Sequence, residues 1–128
     1  MNVVDSSGWL EYFADSANAD FFAQPVENTG ELIVPSSTIY EVFKSTSRQR
    51  SEQEALKTVA LMMQGHIIDL DVPLAVSSAR ISANLGLSMA DSIIIATARA
   101  FDAVLWTQDA HFEGLDGVRF LGKANGVP

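Results

Sequence analysis

The sequence predicts one α/β domain whose parallel sheet is covered by helices on both faces. Five short apolar runs of β type alternate with longer segments whose apolar residues recur at helical spacing. Strands that alternate with helices form parallel sheets, because each crossover helix packs on a sheet face. The length of 128 residues suits one domain. We therefore expect a single domain over residues 1–122 and a flexible tail over residues 123–128.

Local residue patterns predict the elements of this domain. Each strand is a short run of β-branched or large apolar residues, and each helix shows helical spacing, often after a start signal. The predicted strands are Asn2–Val4, Glu31–Val34, His66–Leu70, Ala103–Trp106 and Val118–Leu121. The predicted helices are Ser7–Ala14, Asp20–Ala23, Ser36–Arg50, Glu52–Met63, Val72–Leu85 and Ser88–Phe101.

Residue spacing also predicts which side of each helix faces the core. The expected core-facing residues are Leu10, Phe13, Ile39, Tyr40, Phe43, Leu56, Val59, Met63, Ile94, Ile95 and Ala98. The N-terminal helices hold more large apolar residues than one face can bury, and we expect most of them in the core. These residues are Trp9, Leu10, Tyr12, Phe13, Phe21 and Phe22. Any exposed remainder would form a groove for a partner helix.

The composition limits the compartment and the chemistry. The apolar fraction of 48% argues against disorder, and the absence of cysteine excludes disulfides, zinc–thiolate sites and thiol nucleophiles. The first residues, Met1–Asp5, contain no basic stretch ahead of an apolar run, as a secretory signal would. No apolar segment approaches the roughly 20 residues that span a bilayer. We expect a cytoplasmic protein that does not enter a membrane.

The net charge of −8 opposes binding to nucleic acid, because Lys and Arg supply most of the affinity for phosphate backbones. Only one cluster of basic residues occurs, at Lys44, Arg48 and Arg50. Two interpretations of this cluster stay open. It is either a solvated helix face or a track for phosphates that overcomes the acidic average.

Four acidic residues occupy places where chemistry is expected in such a sheet. Ligands of open α/β sheets bind beyond the carboxyl ends of the strands, where the strand order reverses. Asp5 follows the first strand, Glu41 lies one turn into the helix after the second, and Asp109 follows the fourth. Asp91 lies in the first turn of the helix that precedes the fourth strand, so it reaches this edge only if that helix begins there.

Each acid taken alone has a structural explanation as a helix cap. Asp5 and Asp109 could each cap the turn that follows, and both Thr38-x-x-Glu41 and Ser88-x-x-Asp91 resemble capping boxes. Four converging carboxylates would nevertheless repel one another unless a cation lay among them. Mg²⁺ takes oxygen ligands and retains waters, and such an ion can activate a water against a phosphodiester. The sequence therefore favours a metal site at this edge.

The order and spacing of these acids resemble those of the PIN-domain ribonucleases, and more narrowly the VapC-type toxins of toxin–antitoxin pairs. The resemblance covers Asn2 to about Leu121. The segments that carry it are Val3-Val4-Asp5-Ser6-Ser7, Tyr40-Glu41-Val42, Met89-Ala90-Asp91-Ser92-Ile93-Ile94-Ile95-Ala96-Thr97-Ala98 and Thr107-Gln108-Asp109-Ala110-His111-Phe112.

The resemblance implies a fold, an activity and partners. The fold is a three-layer α/β/α domain with a central parallel sheet of order 3-2-1-4-5. The activity is cleavage of RNA by a water that Mg²⁺ (or Mn²⁺) activates. The partners are an RNA substrate, a cognate antitoxin protein and a second copy of the chain.

The resemblance also assigns roles to individual residues. The family's four acids map onto Asp5, Glu41, Asp91 and Asp109, and its small hydroxyl residue after the fourth strand maps onto Thr107. Many members carry a further Asp two places after the fourth acid, where this chain has His111. Imidazole is a poorer ligand for Mg²⁺ than carboxylate, so the outer metal position departs from the pattern.

Two other classes of protein stay open at this point. A phosphoacceptor receiver domain has a doubly wound sheet, but it would want paired acids at the first strand and a lysine after the fifth. Here Asp5 is followed by Ser6-Ser7, and Lys123 lies in the predicted tail. The other class is a catalytically silent interaction module of the same fold.

A second acid pair, Asp69 and Asp71, is predicted to be structural, with Asp71 as a helix cap.

Overall fold

In the computed structural model, which describes residues 1–124, five parallel strands form one sheet of order β3-β2-β1-β4-β5. The strands are β1 Asn2–Val4, β2 Leu32–Pro35, β3 His66–Ile68, β4 Val104–Thr107 and β5 Val118–Phe120. Strand β1 pairs with β2 on one side and with β4 on the other, so the order reverses beside it. The predicted parallel sheet and its strand order are confirmed.

Six helices cover the two faces of the sheet. They are α1 Ser6–Phe13, α2 Ala19–Val26, α3 Ser36–Gln49, α4 Glu52–Met62, α5 Val72–Leu85 and α6 Met89–Ala100. Short 3-10 turns at Thr29–Glu31 and Ala110–Phe112 complete the described elements. Helices α1 to α4 pack on one face, and α5 and α6 pack on the other. The three-layer architecture is therefore confirmed, with element bounds within a few residues of those predicted.

Successive residues of the strands face opposite layers, as the pleat of a β-strand requires. Val4 is buried in the core with Trp9 and Phe22, whereas Val3 is buried on the other face with Ile95 and Phe112. Both faces of the sheet are therefore apolar, which explains why its strands are continuous apolar runs. The predicted burial of α6 through Ile94, Ile95 and Ala98 is confirmed.

Helix α1 lies unusually close to the core at Gly8. A Cβ atom at this position would lie 2.6 Å from a ring carbon of Phe22 and 2.8 Å from Val4, which is closer than packed atoms approach. Glycine is therefore the residue that lets the first turn of α1 seat against β1. This close packing fixes the start of α1, and with it Asp5, the residue between β1 and α1.

The predicted buried face of α4 is wrong by one position. Helix α4 buries Ala55, Thr58 and Met62, while Leu56 and Met63 are 57% and 62% exposed. Both sets have helical spacing, so spacing alone could not choose between them. The small side chains of Ala55 and Thr58 allow α4 to approach its neighbour, and the larger leucine is left outside.

Helix α3 is also rotated relative to the prediction. It buries Thr38, Val42 and Thr46, and it leaves Tyr40 65% exposed, although Tyr40 was expected in the core. Thr38 is no helix cap either, because its hydroxyl donates to the carbonyl of Pro35 inside the core. The predicted capping box of Thr38 and Glu41 is therefore wrong, and Glu41 is left available for another contact.

Helix α2 is longer than its predicted span of Asp20–Ala23, and it contains Pro25. Proline lacks the backbone N–H that would bond to the carbonyl four residues earlier. Here the side-chain amide of Gln24 donates to the carbonyl of Phe21 at 3.5 Å, which partly replaces the missing bond. The burial of Phe22, Pro25 and Val26 offsets the cost of the proline.

Only part of the predicted C-terminal tail lies within the described residues. Of the predicted tail, residues 125–128 lie outside the described residues, while Lys123 and Ala124 carry no helix or strand. Among residues 1–124 no single helix is long and apolar enough to cross a membrane. Helices α5 and α6 reach that length and composition only as a pair, and a bend of 115° separates them.

Candidate functional site

Asp5 is a buried carboxylate at the end of β1, beside the point where the strand order reverses. Only 3% of the residue is exposed. One carboxylate oxygen accepts the backbone N–H of Gly8 at 2.8 Å, so Asp5 caps α1, as its structural explanation predicted. The same carboxylate accepts the hydroxyls of Ser7 at 3.1 Å and Thr107 at 2.7 Å. Capping uses only part of its bonding capacity.

Thr107 connects Asp5 to the next acid. It is the last residue of β4 and is fully buried, and its hydroxyl donates to Asp5 and accepts the backbone N–H of Asp109 at 2.9 Å. This bridge orients Asp5 and also fixes the chain as it leaves β4. Asp109 is thereby held beside Asp5 at the carboxyl edge of the sheet.

Asp91 reaches the same edge because α6 begins there. Ser88 caps α6 by accepting the backbone N–H of Asp91 at 3.2 Å. Oδ2 of the Asp91 side chain lies 3.0 Å from Nδ1 of His111. The Ser88 half of the predicted capping box is therefore confirmed, and the carboxylate of Asp91 is used elsewhere.

His111 lies between two carboxylates. Its Nδ1 is 3.0 Å from Oδ2 of Asp91 and 3.4 Å from Oδ1 of Asp109, and its backbone N–H donates to the same Asp109 oxygen at 2.9 Å. Asp109 thus caps the 3-10 turn that carries His111, as predicted. The ring is 69% exposed. Together Asp91, Asp109 and His111 offer three ligand atoms within 4.8 Å of one another.

Glu41 enters from the neighbouring helix. Its Oε1 accepts the hydroxyl of Ser6 at 2.6 Å, which joins α3 to the first turn of α1, one residue beyond Asp5. Glu41 is half-buried and does not belong to the group of three close ligand atoms. Of the four predicted acids, the structure brings Asp5, Asp91 and Asp109 into one chain of contacts, and Glu41 borders it through Ser6.

Two shifted pKa values show how the charges of this edge interact. Burial, with a smaller contribution from the nearby charge of Asp109, raises the pKa of Asp5 to about 6, although the hydrogen bonds from Thr107, Gly8 and Ser7 lower it. The hydrogen bond with Asp91 raises the pKa of His111, and the charges of Asp109 and Asp91 add to this effect. The shift of His111 indicates negative charge at this edge, whereas the shift of Asp5 mainly reflects burial of its carboxyl group.

Sequence reasoning named the acids and Thr107, but it did not show which contacts link the residues of the site. The resemblance placed His111 where many relatives carry a further Asp, but no periodicity indicates that its ring lies between Asp91 and Asp109. The serine that holds Glu41 was visible only as part of Ser6-Ser7, a common pair after a strand. Asp71, in contrast, caps α5 by accepting the N–H of Leu74 at 2.9 Å, as predicted, and Asp69 is exposed.

The family profile described as PIN domain matches residues 3–118, nearly the whole chain. The chain belongs to the PIN domain family. No curated protein matches it in sequence. The alternative of a receiver domain is therefore excluded, and the topology agrees, because receivers have the strand order 2-1-3-4-5.

Solved structures of other proteins show the same fold at low sequence identity. A toxin–antitoxin complex from Klebsiella pneumoniae has a TM-score of 0.79 and 22% identity, covering 93% of this chain and 96% of that one. VapC20 from Mycobacterium tuberculosis, described as a sarcin-ricin loop cleaving toxin, has a TM-score of 0.75 and 14% identity. The match covers 91% of this chain and 95% of VapC20. The DNA-bound VapBC of Salmonella typhimurium has a TM-score of 0.72 and 18% identity, and the match covers 94% of this chain and 96% of that one.

Proposed function

We propose that this PIN domain is a metal-dependent endoribonuclease that acts in the cytoplasm as the toxin of a toxin–antitoxin pair. The observation that carries the proposal is the grouping of Asp91 and Asp109 with His111 at the carboxyl edge of the sheet, where Thr107 links Asp5 to Asp109. Capping accounts for part of the bonding of Asp5 and Asp109 and for none of that of the Asp91 side chain. The catalytically silent module is the competing reading, and the tests below distinguish it.

The residues at this edge fit a divalent ion. Neighbouring ligands of an octahedral ion with bonds of about 2.1 Å lie about 3.0 Å apart, close to the 3.0 and 3.4 Å between His111 and the two carboxylates. Asp91 and Asp109 would hold Mg²⁺ or Mn²⁺, with Asp5 and Glu41 as further ligands, directly or through water. A bound ion would supply a water of lowered pKa and stabilise charge on the phosphate.

The other residues of the site would position these ligands. Thr107 donates to one carboxylate oxygen of Asp5 and fixes this side chain at the end of β4. Ser6 donates to Glu41 and holds it at the border of the site. The proposed ligand set therefore consists of side chains from four elements, each held by a hydrogen bond that does not involve the ion.

His111 should change which ion this site prefers. Imidazole nitrogen suits transition metals, whereas Mg²⁺ prefers a full set of oxygen ligands. We expect Mn²⁺ to raise the Tm of the protein by about 5 °C or more at saturating concentration, and Mg²⁺ to raise it less. In His111→Asp the two ions should become more nearly equal. Thermal melting followed by circular dichroism measures both shifts.

Asp69→Asn is the matched control for this experiment, because it removes an exposed acid outside the site and should keep the parental response. A melting curve that neither ion moves would contradict the metal site. Equal responses of the parent and His111→Asp would leave the site standing but contradict the role of the histidine in choosing the ion.

RNA is the proposed substrate, supported by the family and by the description of one similar structure as a toxin that cleaves the sarcin-ricin loop. The test is cleavage of a labelled RNA by the purified protein, with and without divalent metal. Cleavage should require the ion and stop on chelation. Protein of Asp91→Asn, prepared in the same way, controls for contaminating nucleases.

An antitoxin partner is supported by a groove on the layer formed by α1 to α4. The aromatic residues of α1 and α2 are mostly in the core, since Trp9 and Phe22 are fully buried. Half-buried Leu10 and Phe13 nevertheless line an open groove of about 310 Å³ together with Leu61, which is 51% exposed. An apolar groove between helices suits the apolar face of a partner helix. One solved structure with a similar fold is described as a toxin–antitoxin complex.

Exposed apolar residues on the other layer support a homodimer. Val72, Val76 and Met89 are 77%, 45% and 74% exposed, and they lie on α5 and α6. A cleft of about 420 Å³ between these two helices, lined in part by Met89, adds a second apolar surface there. Surfaces of this kind commonly mark interfaces between protein chains.

Coexpression with the product of the neighbouring reading frame should give a tight complex that lacks nuclease activity. Leu61→Asp should weaken this complex at least tenfold, because it places a charge in the groove. Leu56→Asp is the matched control, since Leu56 is equally exposed on the same helix but does not line the groove. Sedimentation of the complex and of the protein alone measures both assemblies. A monomer that ignores the neighbour's product would contradict both partners.

A further inference from the structure

The outward face of α3 carries an aromatic and two basic residues in one row. Tyr40, Lys44 and Arg48 are spaced four residues apart, so they follow one another along the helix surface. All three are exposed, and Tyr40 is exposed over 65% of its surface. Glu41 lies beside the first of them, so the row begins at the candidate site.

The row shares one open surface with Glu41, the acid that borders the candidate site. A cleft of about 560 Å³ is lined by Tyr40, Glu41, Lys44, Ser45, Arg48 and Gln49. Arg48 is seven residues beyond Glu41 and therefore about 10 Å farther along the helix axis. Arg50, which sequence grouped with these cations, does not belong here, because it follows the end of α3 and lines the groove of Leu61.

The two cations of the row are available to a ligand. Within residues 1–124 neither Lys44 nor Arg48 forms an ion pair with a carboxylate, whereas Lys57 on the neighbouring helix pairs with Glu54 at 3.6 Å. The ammonium of Lys44 lies 5.7 Å from the centre of the Tyr40 ring, which holds the two side chains side by side. In a chain of net charge −8, this is a local concentration of unneutralised positive charge next to an exposed ring.

We propose that Tyr40, Lys44 and Arg48 form a binding track for single-stranded RNA, which leads along α3 to the site bordered by Glu41. The inference rests on the proposed ribonuclease function and names the surface that holds its substrate. Lys44 and Arg48 contact successive phosphates, which fixes the strand without reading its sequence. Tyr40 stacks on a base beside the acids, as exposed aromatic residues do on surfaces that bind single strands.

The track is tested by direct binding in the absence of metal, so that cleavage plays no part. The probe is a fluorescein-labelled single-stranded RNA of about 12 nucleotides and mixed sequence, measured by anisotropy in EDTA at about 50 mM salt. The double variant Lys44→Gln/Arg48→Gln should bind about tenfold more weakly. The slope of log K against log salt should fall by about 1.4, because two phosphate contacts are lost. Tyr40→Ala should weaken binding about tenfold, and Tyr40→Phe should retain it.

The matched control is Arg80→Gln/Arg99→Gln, which removes the same charge from exposed positions on the opposite layer. It should bind RNA as the parent does. Failure of the parent to bind at low salt, or equal losses in the two double variants, would overturn the track. If the parent cleaves RNA in a metal-dependent way but the track variants bind RNA as the parent does, the track is contradicted and the proposed function is not. If instead the parent binds RNA through the track but never cleaves it, the proposed nuclease function is contradicted and the binding track is supported.

Discussion

Asp91→Asn is expected to lose RNA cleavage at least about a hundredfold while folding as the parent does. Even groups that only orient metal ligands commonly contribute 10- to 100-fold, so a direct ligand should contribute no less. The fold should survive because α6 is capped by Ser88, whose bond goes to the backbone of Asp91 and not to its side chain. Within residues 1–124, the only side-chain bond that the variant weakens is the contact of Asp91 with His111. Initial rates of cleavage, with melting curves for the fold, measure the two effects.

Asp5→Asn provides a second route to the same conclusion. Asp and Asn are about equally good helix caps, so the capping bond to Gly8 should persist, yet the negative charge with which Asp5 is proposed to hold a cation is gone. Asp69→Asn is the control, and it should stay fully active. Ligands that act as one unit are not additive, so Asp5→Asn/Asp91→Asn should be scarcely worse than either single variant. Full activity in both folded single variants would sink the nuclease assignment.

The stability of the metal-free protein should fall as pH rises from about 4 to 7, relative to that of Asp5→Asn. The pKa of Asp5 is about 6 in the folded protein and near 3.8 in the unfolded chain. Between these values the folded state retains a proton that the unfolded state has lost, so raising the pH favours unfolding. A shift of this size corresponds to a loss on the order of 3 kcal/mol, complete above pH 6.

The measurement is urea unfolding in EDTA at a series of pH values, for the parent and for Asp5→Asn. Asparagine does not titrate, so the difference between the two free energies of unfolding isolates Asp5 from the other carboxylates. Saturating Mn²⁺ should reduce the loss at pH 7, because an ion that binds only the folded state stabilises it. A difference that stays flat from pH 4 to 7 would show that the buried carboxylate of Asp5 keeps an ordinary pKa.

The amino-acid sequence by itself determined the class of the fold and the edge at which the acids lie. Apolar runs alternating with helical segments require a parallel sheet, and in such a sheet the residues after β1 and β4 share one edge. Asp5 and Asp109 could therefore be placed close together without any coordinates. Their capping roles were also predictable, since a cap bonds to a backbone group only two or three residues away.

Only the tertiary structure decided which side chains meet across the site. The bonds from Ser6 to Glu41, from Thr107 to Asp5 and from Asp91 to His111 join residues 35, 102 and 20 positions apart. Such pairs depend on the rotation and seating of whole helices, as the close approach of α1 at Gly8 illustrates. Helical spacing fixes a face only to within about one position, which is why Tyr40 was expected in the core and lies outside. That one-position rotation of α3 exposes the surface on which RNA is proposed to bind, because packing against the rest of the layer, and not the pattern of α3 alone, selects the buried face.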